Sequence, residues 1–153
     1  MEETDQDIAS AYEVGLIIGV NTPDEVIAWA DSVVGYGEYP PAWVIPIALA
    51  QDSDRLSLLK LLHVTPEPDS VDMCWCLVCE SIMGALDRNT CSLRMVSSAL
   101  THCRVPECAE SELSIIEARY LACDQGEDDW DVVNDLFIED MQRVITNARL
   151  SDD

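Results

Sequence analysis

Cysteine and histidine are the side chains in this sequence whose types and spacing could support chemistry. The candidates form two groups, Cys74, Cys76 and Cys79, and His102, Cys103 and Cys108. Together they could supply the thiolate and imidazole ligands of a tetrahedral zinc site. However, the first group lies in a strongly apolar segment that we predict to be helical, whereas structural C-x-x-C pairs usually sit in turns. We therefore expect buried, reduced thiols and no bound metal, with a cysteine-ligated metalloprotein as an alternative.

Nucleophilic catalysis would need a base beside a serine or cysteine, and His63 and His102 are the only histidines. Adjacent residues on a helix point about 100° apart, so His102 and Cys103 do not form a dyad by themselves. No phosphate-binding loop or dinucleotide fingerprint is present, and we interpret the GYG at residues 35–37 as a turn after a helix. We predict no catalytic residues, no cofactor and no enzymatic activity.

Hydrophobic periodicity predicts an all-α fold, because apolar residues recur at helical spacing along most of the chain. We expect seven or eight helices in an irregular bundle or a short stack of helical hairpins, forming a single helical domain over residues 1–153. The segment Val71–Leu86 is apolar around nearly its whole circumference, which predicts the most buried helix.

Local signals predict where several helices begin and end. Thr22 is an expected N-cap, followed by Pro23 at the first helical position and by Glu25, which would complete a capping box. The other expected boundaries are Gly19 and Gly35 as helix stops, Asp52 or Ser53 as the cap of residues 55–63, Thr90 as the cap of a helix to about Cys103, Pro106 as the start of a helix to about Cys123, and about Glu127 and Arg149 as the limits of the last helix.

The net charge of the chain indicates which class of macromolecule it can bind. Thirty acids against eight bases give a formal net charge of -22, which repels nucleic acid phosphates and anionic lipid headgroups. We predict no nucleic acid and no membrane as partners, and a basic protein as the natural partner. The sequence shows no signal-peptide pattern, and its longest apolar runs are seven residues, so we expect a cytoplasmic protein.

Acids are densest between Glu107 and Asp140, where twelve accompany one base, Arg119. Four lie three or four residues apart on the last predicted helix and form what we call the acidic ridge: Asp128, Asp131, Asp135 and Glu139. Like charges at this spacing destabilise a helix by a few tenths of a kcal/mol per pair, which favours a docking surface over a merely solvated face. Trp130 shares a face with Phe137 and is expected in the core. The predicted partner-binding residues are Asp124, Glu127, Asp128, Asp129, Asp131, Asp135 and Glu139.

The segment GLIIGVNTPDEVIAWADSVV, followed by YPPAWVIPIALA and SDRLSLLKLL, resembles small helical immunity proteins of bacterial polymorphic toxin systems, including those of contact-dependent growth inhibition. The likeness lies mainly in residues 14–62. It implies a non-enzymatic cytoplasmic protein that neutralises a cognate toxin domain, often a nuclease, by occluding its active site. An acidic helical adaptor for another basic protein is the alternative interpretation of the same charge.

Overall fold

The computed structural model describes residues 2–51 and 53–150. Eight α-helices lie within these two ranges and no strand does, which confirms the all-α prediction. The helices are α1 (Asp5–Ile18), α2 (Pro23–Tyr36), α3 (Ile45–Ala48), α4 (Arg55–His63), α5 (Val71–Asp87), α6 (Leu93–Leu100), α7 (Glu107–Asp124) and α8 (Trp130–Leu150). None of them combines the length and the apolar character needed to cross a membrane.

Two apolar clusters form the core, and α1 contributes to both. Ala9 and Leu16 of α1 belong to an N-terminal cluster with buried residues of α2, α3 and α4. Ala11 and Ile18 belong to a C-terminal cluster with α5, α6, α7 and α8. Because these residues point to different sides of one helix, α1 packs against α4 on one side and α5 on the other.

Helix α5 is the centre of the C-terminal cluster and packs against both α1 and α8. No residue from Met73 to Leu86 is exposed, and α5 has more buried residues than any other described helix. Full burial of an apolar side chain contributes about 1.5–3 kcal/mol. The apolar circumference of this segment therefore predicted its central position correctly.

Two of the predicted helix ends are confirmed in detail. Gly19 ends α1 with φ at 81°, a left-handed conformation that favours glycine. Thr22 caps α2, its hydroxyl accepting a hydrogen bond from the Glu25 N–H at 3.3 Å. The predicted capping box at α2 is wrong, because the Glu25 carboxylate accepts from the Asn21 side-chain amide at 2.9 Å instead.

The predicted bounds of α4, residues 55–63, are confirmed, whereas the predicted cap of α4 and the predicted end of α2 are displaced. Helix α2 continues past Gly35 to Tyr36, and the Gly37 N–H donates to Val33 O. Ser53 does not cap α4: the Asp54 carboxylate accepts from the Ser57 N–H at 2.7 Å. Asp52, the other predicted cap, lies outside the described residues.

The predicted start of α6 is wrong by two residues, because its cap is Ser92 rather than Thr90, and that of α8 is wrong by three. The Thr90 hydroxyl donates to the carbonyl of Ala85 at 3.1 Å, so it closes α5 rather than opening α6. Helix α6 consequently begins at Leu93, and it ends at Leu100 rather than near Cys103. Helix α8 begins at Trp130 rather than Glu127. Before it, the Asp128 carboxylate accepts hydrogen bonds from Arg119, and the Asp129 carboxylate accepts from N–H groups of the first turn of α8.

Candidate functional site

The structure divides the seven predicted partner-binding acids into two classes, and Asp124 belongs to the class that is engaged internally. Its carboxylate accepts from Arg94 Nη2 at 2.9 Å and from Arg94 Nε at 3.2 Å. The same guanidinium binds the Glu117 carboxylate at 3.0 and 3.1 Å and lies 5.7 Å from the centre of the Tyr120 ring. Asp124 therefore holds α6 against α7.

Asp128 and Asp129 also form hydrogen bonds within the chain that stabilise the fold. Asp128 precedes α8 and accepts two hydrogen bonds from Arg119, at 2.8 and 3.0 Å, which hold the pKa of its carboxyl below the ordinary value. Its predicted place on the acidic ridge is therefore wrong. The Asp129 carboxylate accepts from the N–H groups of Asp131 and Val132, so it caps the start of α8.

Three members of the acidic ridge lie on the exposed face of α8, and we call Asp131, Asp135 and Glu139 the α8 acids. The opposite face of this helix buries Val133 and Phe137 in the C-terminal cluster. Across residues 2–51 and 53–150, no basic side chain pairs with an α8 acid. Their negative charge is thus presented to solvent. Glu127 is exposed as well.

Two large apolar side chains are exposed at the start of the same helix. Val132 is 47% exposed and lies three residues from Asp135, on the same side of α8. Trp130 was expected in the core, but 43% of its surface is exposed, because only part of the ring packs on Tyr120, at 6.1 Å between centroids. Trp130 lies on the Phe137 side of α8, so Val132 is the apolar side chain beside the α8 acids. An apolar group next to charged groups is typical of a protein-binding surface.

The chain matches no protein-family model, and neither the curated proteins nor the solved structures compared with it include a match. The candidate site is accordingly defined by its own geometry: the α8 acids with Val132, on one face of α8.

Internal ion pairs use much of the positive charge that could offset this surface. Five of the eight basic residues pair with carboxylates of the described chain, and these are Arg94, Arg104, Arg119, Arg143 and Arg149. Arg149 illustrates the effect, because it binds Glu80 at 2.6 Å and Glu3 at 2.9 Å and so ties α8 to α5 and the N-terminal segment. The remaining acids greatly outnumber the remaining bases.

The structure brings the two cysteine and histidine groups together only in part, because Cys74 lines the same groove as His102 and Cys103. Among the described residues, no three His, Cys, Asp or Glu side chains are grouped so that they could hold a metal ion. The two histidines line one groove of about 330 Å³, and the ring nitrogen Nδ1 of His63 lies 3.5 Å from the carboxylate of Glu13. Nothing in this groove arranges a nucleophile and a base in hydrogen-bonding contact.

All seven cysteines are free thiols, and their burial differs sharply. Burial raises the pKa of Cys74 to about 12 and that of Cys76 to about 12, from an ordinary value of 9.0. Because the thiolate is the reactive form, these two residues are poor nucleophiles near neutral pH. Cys108 is the exposed cysteine.

We expect iodoacetamide to label Cys108 first when the folded protein is treated at pH 8. The raised pKa values of Cys74 and Cys76 reduce their thiolate fractions about 1,000-fold, so they should remain unlabelled until the chain unfolds. Peptide mass spectrometry of timed samples measures the order, with a sample in denaturant as the control in which all seven should react. Equal labelling of Cys76 and Cys108 in the folded state would contradict the burial described here.

Proposed function

We propose that this protein binds a cationic protein and inhibits it without catalysis, and that the partner is a cognate toxin domain with nuclease activity. One observation carries the proposal: the α8 acids face solvent without a basic partner in the described chain, beside the exposed side chain of Val132. The resemblance of residues 14–62 to immunity proteins supports the choice of a toxin as the partner.

The charge of -22 gives this surface a long reach. A negative field attracts a positively charged protein before contact, which speeds association and aligns the two surfaces. A nuclease is a suitable target because its substrate cleft must be basic to bind phosphates. Carboxylates on one helical face could fill such a cleft and exclude the substrate, which explains inhibition without any catalytic residue.

The test begins with the product of the gene next to this one, particularly a toxin-like reading frame immediately upstream. We expect the two purified proteins to form a complex and the nuclease activity of the toxin to fall in proportion to the complex formed. Association should slow as salt rises through physiological ionic strength, where the screening length is about 8 Å. A neighbouring basic protein without toxic activity that binds equally well would instead favour the adaptor function.

The contribution of the α8 surface is measured by the triple variant Asp131→Lys, Asp135→Lys and Glu139→Lys. We expect it to weaken the complex at least tenfold, an effect of about 1.4 kcal/mol or more. The matched control changes three exposed acids elsewhere, Glu2, Asp69 and Asp87, to lysine. Both variants alter net charge by the same amount, so equal losses of affinity would exclude the α8 surface as the binding site.

A further inference from the structure

Tyr36 and Tyr39 are the most exposed large hydrophobic side chains of the described protein, at 93% and 92%. They stand in the segment GYGEYPP at residues 35–41, which we call the tyrosine segment. A tyrosine usually buries its ring and leaves its hydroxyl in water, whereas here both rings are in solvent. Tyrosine is also among the residues that most often dominate binding energy at protein interfaces.

Both ends of the tyrosine segment are attached to the fold. At its start, the Gly37 N–H donates to the carbonyl of Val33 at 3.3 Å, and a Cβ added at Gly37 would lie 3.2 Å from that oxygen. Just beyond its end, Trp43 packs on Trp29, with 6.4 Å between ring centroids. Two consecutive prolines with fixed φ precede Trp43. The two exposed rings thus project from a base that needs little further ordering when a partner binds.

The charge around the segment indicates which partner fits. Residues 1–54 contain eleven acids and no lysine or arginine. Two of the acids are exposed near these rings in the sequence: Glu38 lies within the tyrosine segment, and Asp31 lies on α2, four residues before it. The face of an aromatic ring attracts cations, and the planar guanidinium of arginine stacks on such faces. A tyrosine pair flanked by carboxylates is therefore complementary to arginine side chains.

We propose that the tyrosine segment is a second docking surface, which binds arginine side chains of the cationic partner by stacking on Tyr36 and Tyr39. The inference rests on the proposed function only in that the partner is cationic, and it adds a chemical preference for arginine over lysine. Asp31 and Glu38 would pair with the charge while the rings cover the flat faces of the guanidinium groups.

The test uses two synthetic decapeptides of equal charge, one of arginine and one of lysine, added to the intact protein with labelled tyrosine rings. The four tyrosines report separately by NMR, and the less exposed Tyr12 and Tyr120 are internal controls. We expect the arginine peptide to shift the ring resonances of Tyr36 and Tyr39 and to leave those of Tyr12 and Tyr120 nearly unchanged.

The double variant Tyr36→Ala and Tyr39→Ala should lower the affinity for the arginine peptide about fivefold and that for the lysine peptide less than about twofold. The variant Tyr36→Phe and Tyr39→Phe keeps both aromatic faces and should bind the arginine peptide as the parent does. A further control, Val64→Ala and Met95→Ala, removes two other exposed apolar side chains and should change neither affinity.

The proposal is overturned if the alanine variant lowers the affinity for both peptides equally. It is also overturned if the ring resonances of Tyr36 and Tyr39 shift no more than those of Tyr12 and Tyr120. Its failure is distinguishable from failure of the proposed function. Charge reversal of the α8 acids should lower the affinity for both peptides alike and preserve the preference for arginine. The peptide result does not depend on whether the neighbouring gene encodes a toxin.

Discussion

Replacing Asp7 with alanine should lower the free energy of unfolding by about 3 kcal/mol. The Asp7 carboxylate is 1% exposed, and it accepts from the Thr4 N–H at 3.1 Å and from the Ser70 N–H at 2.9 Å. Thr4 and Ser70 are the N-caps of α1 and α5, so one carboxylate ties together the starts of two central helices. Its removal would leave two backbone donors without their acceptor, and a hydrogen bond to a charged group contributes about 1.5–3 kcal/mol.

Urea unfolding of Asp7→Ala and Asp7→Asn measures this effect. The asparagine variant keeps one acceptor oxygen of the two, so we expect roughly half the loss. Asp5→Ala is the matched control, because Asp5 is an acid in the same first turn of α1 that makes no hydrogen bond to Ser70. A loss below about 0.5 kcal/mol for Asp7→Ala would show that the link between α1 and α5 contributes little.

Replacing Arg94 with methionine should cost about 2 kcal/mol of stability. The methionine keeps an apolar stem over Tyr120 but removes the guanidinium that binds Glu117 and Asp124. The Glu117 side chain is 17% exposed, and its remaining hydrogen bond is from the Ser97 hydroxyl at 2.6 Å. A partly buried carboxylate that loses its cation is costly, whereas exposed pairs contribute little.

A double-mutant cycle separates the pair from the packing. Glu117→Gln in the Arg94→Met background should recover part of the lost stability, because it removes the uncompensated charge. The control is Arg104→Met. The side chains of Arg104 and its partner Glu67 are 76% and 82% exposed, so this substitution should change stability by less than about 0.5 kcal/mol. Equal effects of the two arginine substitutions would contradict the role given to Arg94.

Features that depend on residues three or four positions apart were predictable from the sequence. The Thr22 cap, the Gly19 stop and the central position of α5 all follow from such local patterns. Thr90 shows the limit of this reasoning. Thr90 lies between α5 and α6 in the sequence, and the bond that its hydroxyl makes to Ala85 depends on the path of the loop.

The candidate site was predictable only in part, because sequence spacing does not show which acids meet an arginine. Asp124 pairs with Arg94, thirty residues away, and Asp128 pairs with Arg119 across a turn. The α8 acids, which have no such partner among the described residues, are the portion that spacing placed on the right face. Tyr36 and Tyr39 were overlooked as binding residues, although two aromatic side chains in a segment rich in glycine and proline were a visible signal.

The membership of α1 in both apolar clusters has a consequence during synthesis. Helix α1 leaves the ribosome before all of its partners, and the N-terminal cluster can assemble once α4 has emerged. The side of α1 that carries Ala11 and Ile18 has no cover until α5 has been made. Uncovered apolar surface on a partly made chain promotes association with other chains and binding by chaperones. A chain halted before α5 would therefore present to the cell an apolar strip that the finished protein hides.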